Sequence, residues 1–176
     1  MTRAQLTVRA RRVQLLILDV DGVLTDRRII LGSDGSQFKA FDVQDGFGLV
    51  LARKAGIKTA LITAERSQAV AWRASQLKID WVAQFARDKA KALKKCLAHF
   101  RISPEAAGYV GDDLLDLPVL SRVGFRAAVA DARPEVRRAV HYVTKIPGGR
   151  GAVREVVELI LRAKKAWPGI VRGYLQ

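Results

Sequence analysis

Val13-Gln14-Leu15-Leu16-Ile17-Leu18-Asp19-Val20-Asp21-Gly22-Val23-Leu24-Thr25 carries an apolar run straight into a pair of carboxylates. Such a run reads as a buried β-strand, and residues at i and i+2 of an extended chain point to one side. Asp19 and Asp21 are thus delivered together to a strand end, where a ligand can meet both. Gly22 lets the backbone turn sharply and approach that ligand closely. The arrangement suits a nucleophile and an acid/base partner gathered around a metal.

At 176 residues and 49% hydrophobic content, the chain is about one domain long and can bury a substantial core. Its single cysteine, Cys96, excludes an intramolecular disulfide and any paired-cysteine zinc or redox site, which points to a reducing, cytoplasmic setting. The basic amino terminus is followed by a short apolar run ending in Asp19, which reads as neither signal peptide nor anchor. Nothing elsewhere approaches the roughly 20 apolar residues of a membrane span. A formal net charge of +14 raises nucleic acid as a partner. The basic residues are spread along the chain without a zinc-finger or RNP-type motif, which favours a solvated surface that steers an anionic small substrate over a basic nucleic-acid-binding module.

After the first strand, Arg28–Leu31 and Gln37–Phe41 flank the turn cluster 32–36 and read as a β-hairpin inserted directly behind the carboxylate pair. Helix and strand then alternate. Helices are expected over Gln44–Ala55, Ser67–Leu77, Asp88–Phe100, Pro134–Val140 and Ala152–Lys165. Strands are expected over Ile57–Ile62, Trp81–Phe85, Ala107–Gly111, Phe125–Val129 and Tyr142–Thr144. This rhythm predicts an α/β fold with a mostly parallel sheet flanked by helices, and ligands of such sheets bind beyond the carboxyl ends of the strands.

Three strand ends carry polar groups that could share one crevice: Asp19 and Asp21, Thr63, and the acids Asp112, Asp113 and Asp116. Several acids on one sheet edge repel each other unless a cation is present. Asp19, Asp112 and the backbone carbonyl of Asp21 offer hard oxygen ligands, which favours Mg²⁺. Lys89 opens a helix, where both its charge and the helix N-terminus suit a phosphate.

The Asp19–Asp26 run, Thr63 after a strand, Lys89 at a helix start, and Gly111-Asp112-Asp113 with Asp116 resemble the four motifs of the haloacid dehalogenase superfamily phosphatases. The hairpin in place of a cap domain, Val43–Gly48, the turn 131–134 and Gly148–Glu155 are similar to 3-deoxy-D-manno-octulosonate 8-phosphate (KDO 8-phosphate) phosphatases. The resemblance spans about residues 13 to 165. It implies a Rossmann-like phosphatase domain over 13–166, with the hairpin insert over about 27–42, a basic N-terminal arm over 1–12 and a C-terminal tail over 167–176. It further implies a Mg²⁺-dependent phosphomonoester hydrolase that supplies KDO for lipopolysaccharide.

By that resemblance Asp19 is the nucleophile, forming an aspartyl-phosphate, and Asp21 the general acid and base. Thr63 and Lys89 bind the transferring phosphoryl group. Asp19, Asp21 and Asp112 hold the metal, and Asp113 and Asp116 support it. Glu65, Arg73 and Arg150 are candidate substrate contacts, Arg150 for the sugar-acid carboxylate. The family's hairpins pack in homotetramers that cap each neighbour's site.

One segment departs from the family. Thr63-Ala64-Glu65-Arg66 stands where KDO 8-phosphate phosphatases usually carry Thr-Gly-Arg, and relatives acting on nonulosonate 9-phosphates can have Glu there. A nine-carbon sugar-acid phosphate is therefore the alternative substrate. Cys96, in the pattern Leu93, Cys96, Leu97, Phe100, reads as core. His99 and His141 are isolated from other metal ligands. Trp72 and Trp81 read as core or interface residues, and Trp167 as part of a loose tail.

Overall fold

The computed structural model describes residues 1–175. The first half of the chain forms α1 (Arg3–Arg12), β1 (Leu15–Leu18), β2 (Ile30–Leu31), β3 (Gln37–Phe38), α2 (Val43–Lys54), β4 (Lys58–Ile62), α3 (Gln68–Leu77), β5 (Trp81–Ala83) and α4 (Lys89–Phe100). Then follow β6 (Ala107–Gly111), α5 (Leu117–Leu120), β7 (Phe125–Ala128), α6 (Pro134–Ala139), β8 (Tyr142–Val143), α7 (Ala152–Ala163) and α8 (Trp167–Arg172).

Every residue of β1 is buried, as an apolar run without alternation demands, and this requires cover on both faces of its sheet. The sheet is six-stranded, in the order β5-β4-β1-β6-β7-β8, with all its pairings parallel. Leu15 pairs with Lys58 of β4 on one side and Ala107 of β6 on the other. The order of strands therefore reverses at β1, and the crevice beyond its carboxyl end lies between loops that diverge to either side. The antiparallel pair β2–β3 stands apart from this sheet, joined through Ile30↔Phe38 and Leu31↔Gln37.

The expected helices and strands are all present, several of them shorter at their ends because a capping residue takes the first position. Asp88, expected as helical, is the N-cap of α4 and accepts from the Lys91 amide at 2.9 Å. Three helices lie outside the expected set. In α1, Thr2 and Gln5 form a capping box, and Ala10 is buried as the helix packs on α7. Arg9 and Arg11 fasten it by donating to the carbonyls of Gly124 (3.1 Å) and Ala163 (2.9 Å), so the basic arm is a docked helix. The short α5 is the second.

The third corrects the expectation of a loose tail. Trp167 opens α8 half-buried, with the Arg154 and Arg162 guanidinium groups over its ring at 5.5 Å and 4.7 Å. Gln176, the last residue of that tail, lies outside the described residues. Trp72, read as core or interface, is 66% exposed and is therefore not core. Among the described residues no helix is long and apolar enough to cross a membrane.

One long-range contact ties the segment after the hairpin to the C-terminal helix. Asp45 is buried within α2, and its carboxylate accepts from the backbone amides of Gly151 (3.1 Å) and Arg154 (2.8 Å), so that α2 caps the first turn of α7. Burial pushes its carboxyl up to about 6. Asp45→Ala, which leaves both amides without an acceptor, is expected to lower stability by about 2 kcal/mol in urea unfolding. Asp45→Asn, which keeps one acceptor oxygen, should lose less.

Candidate active site

The carboxyl ends of β1, β4 and β6 bring together most of the residues expected there. Asp19, immediately after β1, is buried and accepts at Oδ1 from the Val20 amide (2.7 Å) and from Lys89 Nζ (2.9 Å). Lys89, buried at the start of α4, also reaches Asp116 Oδ1 at 2.7 Å. Thr63, buried at the end of β4, is held by backbone bonds to Ala83 (3.0 Å) and from Ala86 (2.9 Å). Asp112 follows β6 and is buried.

The acids divide by what already occupies them. Asp116 accepts four bonds: Lys89 and the Tyr109 hydroxyl (2.6 Å) at Oδ1, and the Asp112 (2.8 Å) and Asp113 (3.2 Å) amides at Oδ2. It braces the loop after β6 and holds Lys89. Asp112 Oδ1, in contrast, is buried without a hydrogen-bond partner among the described residues. Asp113 is exposed and turns its carboxylate onto the Leu114 amide at 2.6 Å, so it is not brought into the cluster.

Oxygens of Asp19, Asp112 and Asp116 lie within 4.8 Å of one another. An oxygen-only set with an unpartnered carboxylate oxygen fits Mg²⁺, with Asp19 and Asp112 as its side-chain ligands. Gly22 is needed beside them. Its φ is +100°, and a Cβ there would lie 2.1 Å from Asp112 Oδ2.

The electrostatics state the same demand. Burial first, then the Asp116 charge, push Asp19 up to about 8, against the pull of Lys89. Burial and Asp116 likewise push Asp112 up to about 7. Burial disfavours the Lys89 ammonium, yet the charges of Asp19 and Asp116 outweigh it and raise its pKa. One ammonium shared by two carboxylates stays charged and cannot compensate both.

The candidate substrate contacts are dispersed. Glu65 is exposed beside Thr63, its amide donating to the Thr63 hydroxyl oxygen at 3.3 Å. Arg150 stands exposed, its guanidinium 3.8 Å from Asp26. Arg73 is engaged elsewhere: it donates to the Asp42 carbonyl (3.3 Å) and lies over the Phe41 ring, bracing the start of α2.

Several residues of the site carry no motif of their own. Lys39, just after β3, pairs with Asp21 Oδ1. Arg27 pairs with Asp131 and stands 3.7 Å from Asp112 Oδ2, while Asp131 Oδ1 accepts from the Gly148 amide at 3.0 Å. The Gly-rich segment is thereby tied to the loop after β1. Tyr109 had the one readable signal, a hydroxyl in a strand otherwise suited to the core, which must find a partner.

Residues 52–154 match the family described as haloacid dehalogenase-like hydrolase. The chain is 45% identical over 161 residues to the 3-deoxy-D-manno-octulosonate 8-phosphate phosphatases of Yersinia pestis and Escherichia coli, covering 92% of this chain and 86% of each relative. It resembles the crystal structure of the Yersinia pestis phosphatase with a TM-score of 0.92 at 44% identity, over 94% of this chain and 89% of that one. A second similar structure is the Moraxella catarrhalis phosphatase in complex with magnesium ion, phosphate ion and KDO, with a TM-score of 0.96 at 37% identity over 98% and 99% of the two chains.

The raised carboxyls have a consequence for stability. A carboxyl whose folded pKa exceeds its ordinary value stabilises the fold while protonated, and that contribution is lost as pH rises through the folded value. Asp45 at about 6 has largely titrated by pH 6.5, and His141, lowered to about 4 by burial, opposes the fall only weakly while its unfolded imidazole finishes titrating, so Asp19 and Asp112 dominate between pH 6.5 and 8. In chelator, stability should fall by about 2 kcal/mol across that window, and saturating Mg²⁺ should remove most of the fall. Thermal midpoints at fixed ionic strength measure both; a flat profile in chelator would contradict this electrostatic account.

Proposed function

This chain belongs to the KDO 8-phosphate phosphatase family of haloacid dehalogenase-like hydrolases, a phosphomonoester hydrolase that converts KDO 8-phosphate to KDO and phosphate, and we propose that Asp19 is its nucleophile. Its fold is that of the family, a six-stranded parallel sheet with a two-stranded hairpin inserted after the first strand. The observation that carries the chemistry is the buried Asp19–Lys89–Asp116 chain beside the unpartnered oxygen of Asp112.

Val20 and Lys89 both engage Asp19 at Oδ1, so the carboxylate is held in one orientation, with no donor to Oδ2 among the described residues. Attack of Asp19 on phosphorus forms an acyl phosphate as the bond to the sugar oxygen breaks. Asp21 delivers a proton to that departing oxygen, then takes one from the water that hydrolyses the acyl phosphate. Thr63 and Lys89 bind the phosphoryl oxygens, and Lys89 also offsets charge as it gathers on them. Mg²⁺, held by Asp19, Asp112 and the Asp21 carbonyl, supplies when bound a positive charge that offsets repulsion between nucleophile and phosphate dianion. Asp116 keeps Lys89 in place, and Asp113 belongs to the turn that follows.

Exposed apolar residues on the hairpin support a surface at which copies of the chain meet. Ile29, Ile30, Leu31 and Phe38 of the hairpin, with Val43, are all exposed, more apolar surface than a two-rung hairpin needs for itself. The hairpins pack together in a homotetramer, and a neighbouring copy covers each crevice. The setting is the cytoplasm. Arg150 meets the sugar-acid carboxylate, and Glu65 stands at the rim where the sugar is selected.

Turnover by wild type should be Mg²⁺-dependent and should favour KDO 8-phosphate over nonulosonate 9-phosphates in a phosphate-release panel. A preference for the nine-carbon substrates would assign Glu65 the opposite selectivity. Asp19→Asn should abolish turnover, a loss of at least ~10³-fold, while folding and assembling normally. The paired change Ile30→Asp and Phe38→Asp is expected to give monomers by light scattering and to lower kcat/KM. Tetramers that persist would remove the hairpin from the interface.

A further inference from the structure

The contact between Lys39 and Asp21 joins the hairpin to the catalytic loop, and its geometry is asymmetric. The Lys39 side chain is only 3% exposed although it lies on an otherwise exposed hairpin, so its four-carbon stem is packed inward and its ammonium has left water. Such burial is unfavourable unless a carboxylate compensates it. That carboxylate is Asp21, met at Oδ1 alone, while Oδ2 is buried and has no hydrogen-bond partner among the described residues. The two oxygens of one carboxyl group therefore stand in different environments: one fixed by a donor that cannot accept a proton in return, the other buried and without a donor among the described residues.

We propose that Lys39 is the positioning residue of Asp21, its ammonium holding Oδ1 and so fixing the rotamer from which the carboxyl group meets the leaving group. Seating of the hairpin and orientation of the proton donor are then one event. A hairpin lifted from the domain would take Lys39 with it and leave Asp21 free to rotate. This inference rests on the reading of Asp21 as proton donor, and the two are separable by experiment.

The comparison uses two substrates of the Mg²⁺-loaded enzyme. KDO 8-phosphate loses a sugar alkoxide, which needs a proton as it departs; p-nitrophenyl phosphate loses a phenolate stable without one. Because kcat/KM reports only the steps through departure of the leaving group, the later hydrolysis of the acyl phosphate does not enter the comparison.

Lys39→Met, which keeps the apolar stem and removes the ammonium, should lower kcat/KM for KDO 8-phosphate by about 100-fold, the lower range for loss of general acid catalysis. The loss on p-nitrophenyl phosphate should be at least ~10-fold smaller, because that leaving group does not call on the acid. Lys39→Arg should recover part of the ratio. Asp21→Asn is the reference and should shift the ratio in the same direction.

If Asp21→Asn shifts the ratio and Lys39→Met lowers both substrates equally, Lys39 acts only as a general attractant for phosphate dianions and the proposal is overturned while the reading of Asp21 stands. A ratio unmoved by Asp21→Asn overturns both. Lys39→Gln, an uncharged polar side chain one bond shorter, carries the same comparison if Lys39→Met does not fold.

Discussion

Asp19, Asp112 and Asp116 are buried side by side with a single ammonium, Lys89, between two of them, and the surrounding structure is arranged about that excess of negative charge. Charges of one sign removed from water raise each other's proton affinity, as they do here at Asp19 and Asp112. Asp116 is relieved by four donors drawn from α4, β6 and the backbone of its own loop. Asp112 is only partly relieved, by Arg27 at 3.7 Å, and keeps an unpartnered oxygen. The fold thus satisfies Asp116 fully and leaves Asp112 with an oxygen that has no partner among the described residues.

The parts that could be read along the chain are those whose cause is local. An unbroken apolar run ending in Asp19-x-Asp21 specifies a central parallel strand with acids at its end, and Thr63, Lys89 and Asp112 sit at equivalent ends of later units. The pairings that join distant segments left no such mark. Lys39 is one basic residue among 31, and only the fold of the hairpin sets it against a residue 18 positions earlier. Asp45 looks like a first-turn acid of its own helix, yet it caps another more than 100 positions away.

The helix α1 is a different case. Thr2-x-x-Gln5 is a local signal of a helix start, but the amphipathic contrast that identifies most helices is weak there, since one residue alone is buried. Its arginines, which read as solvated charge, instead donate to carbonyls of distant loops. Part of the high net charge is therefore structural. At Arg73 the same holds, its guanidinium bracing the start of α2.

The Gly-rich segment meets the catalytic loop without any side chain between them. A Cβ on Gly148 would fall 1.8 Å from the Gly22 carbonyl oxygen, and one on Gly149 would fall 2.4 Å from the carbonyl carbon of Thr25. The spacing of that seam is set by main chain against main chain, so it has none of the slack that rotamers give an ordinary core contact. Variation within such a scaffold has to arise in side chains beside the seam, because the seam itself offers no residue to exchange.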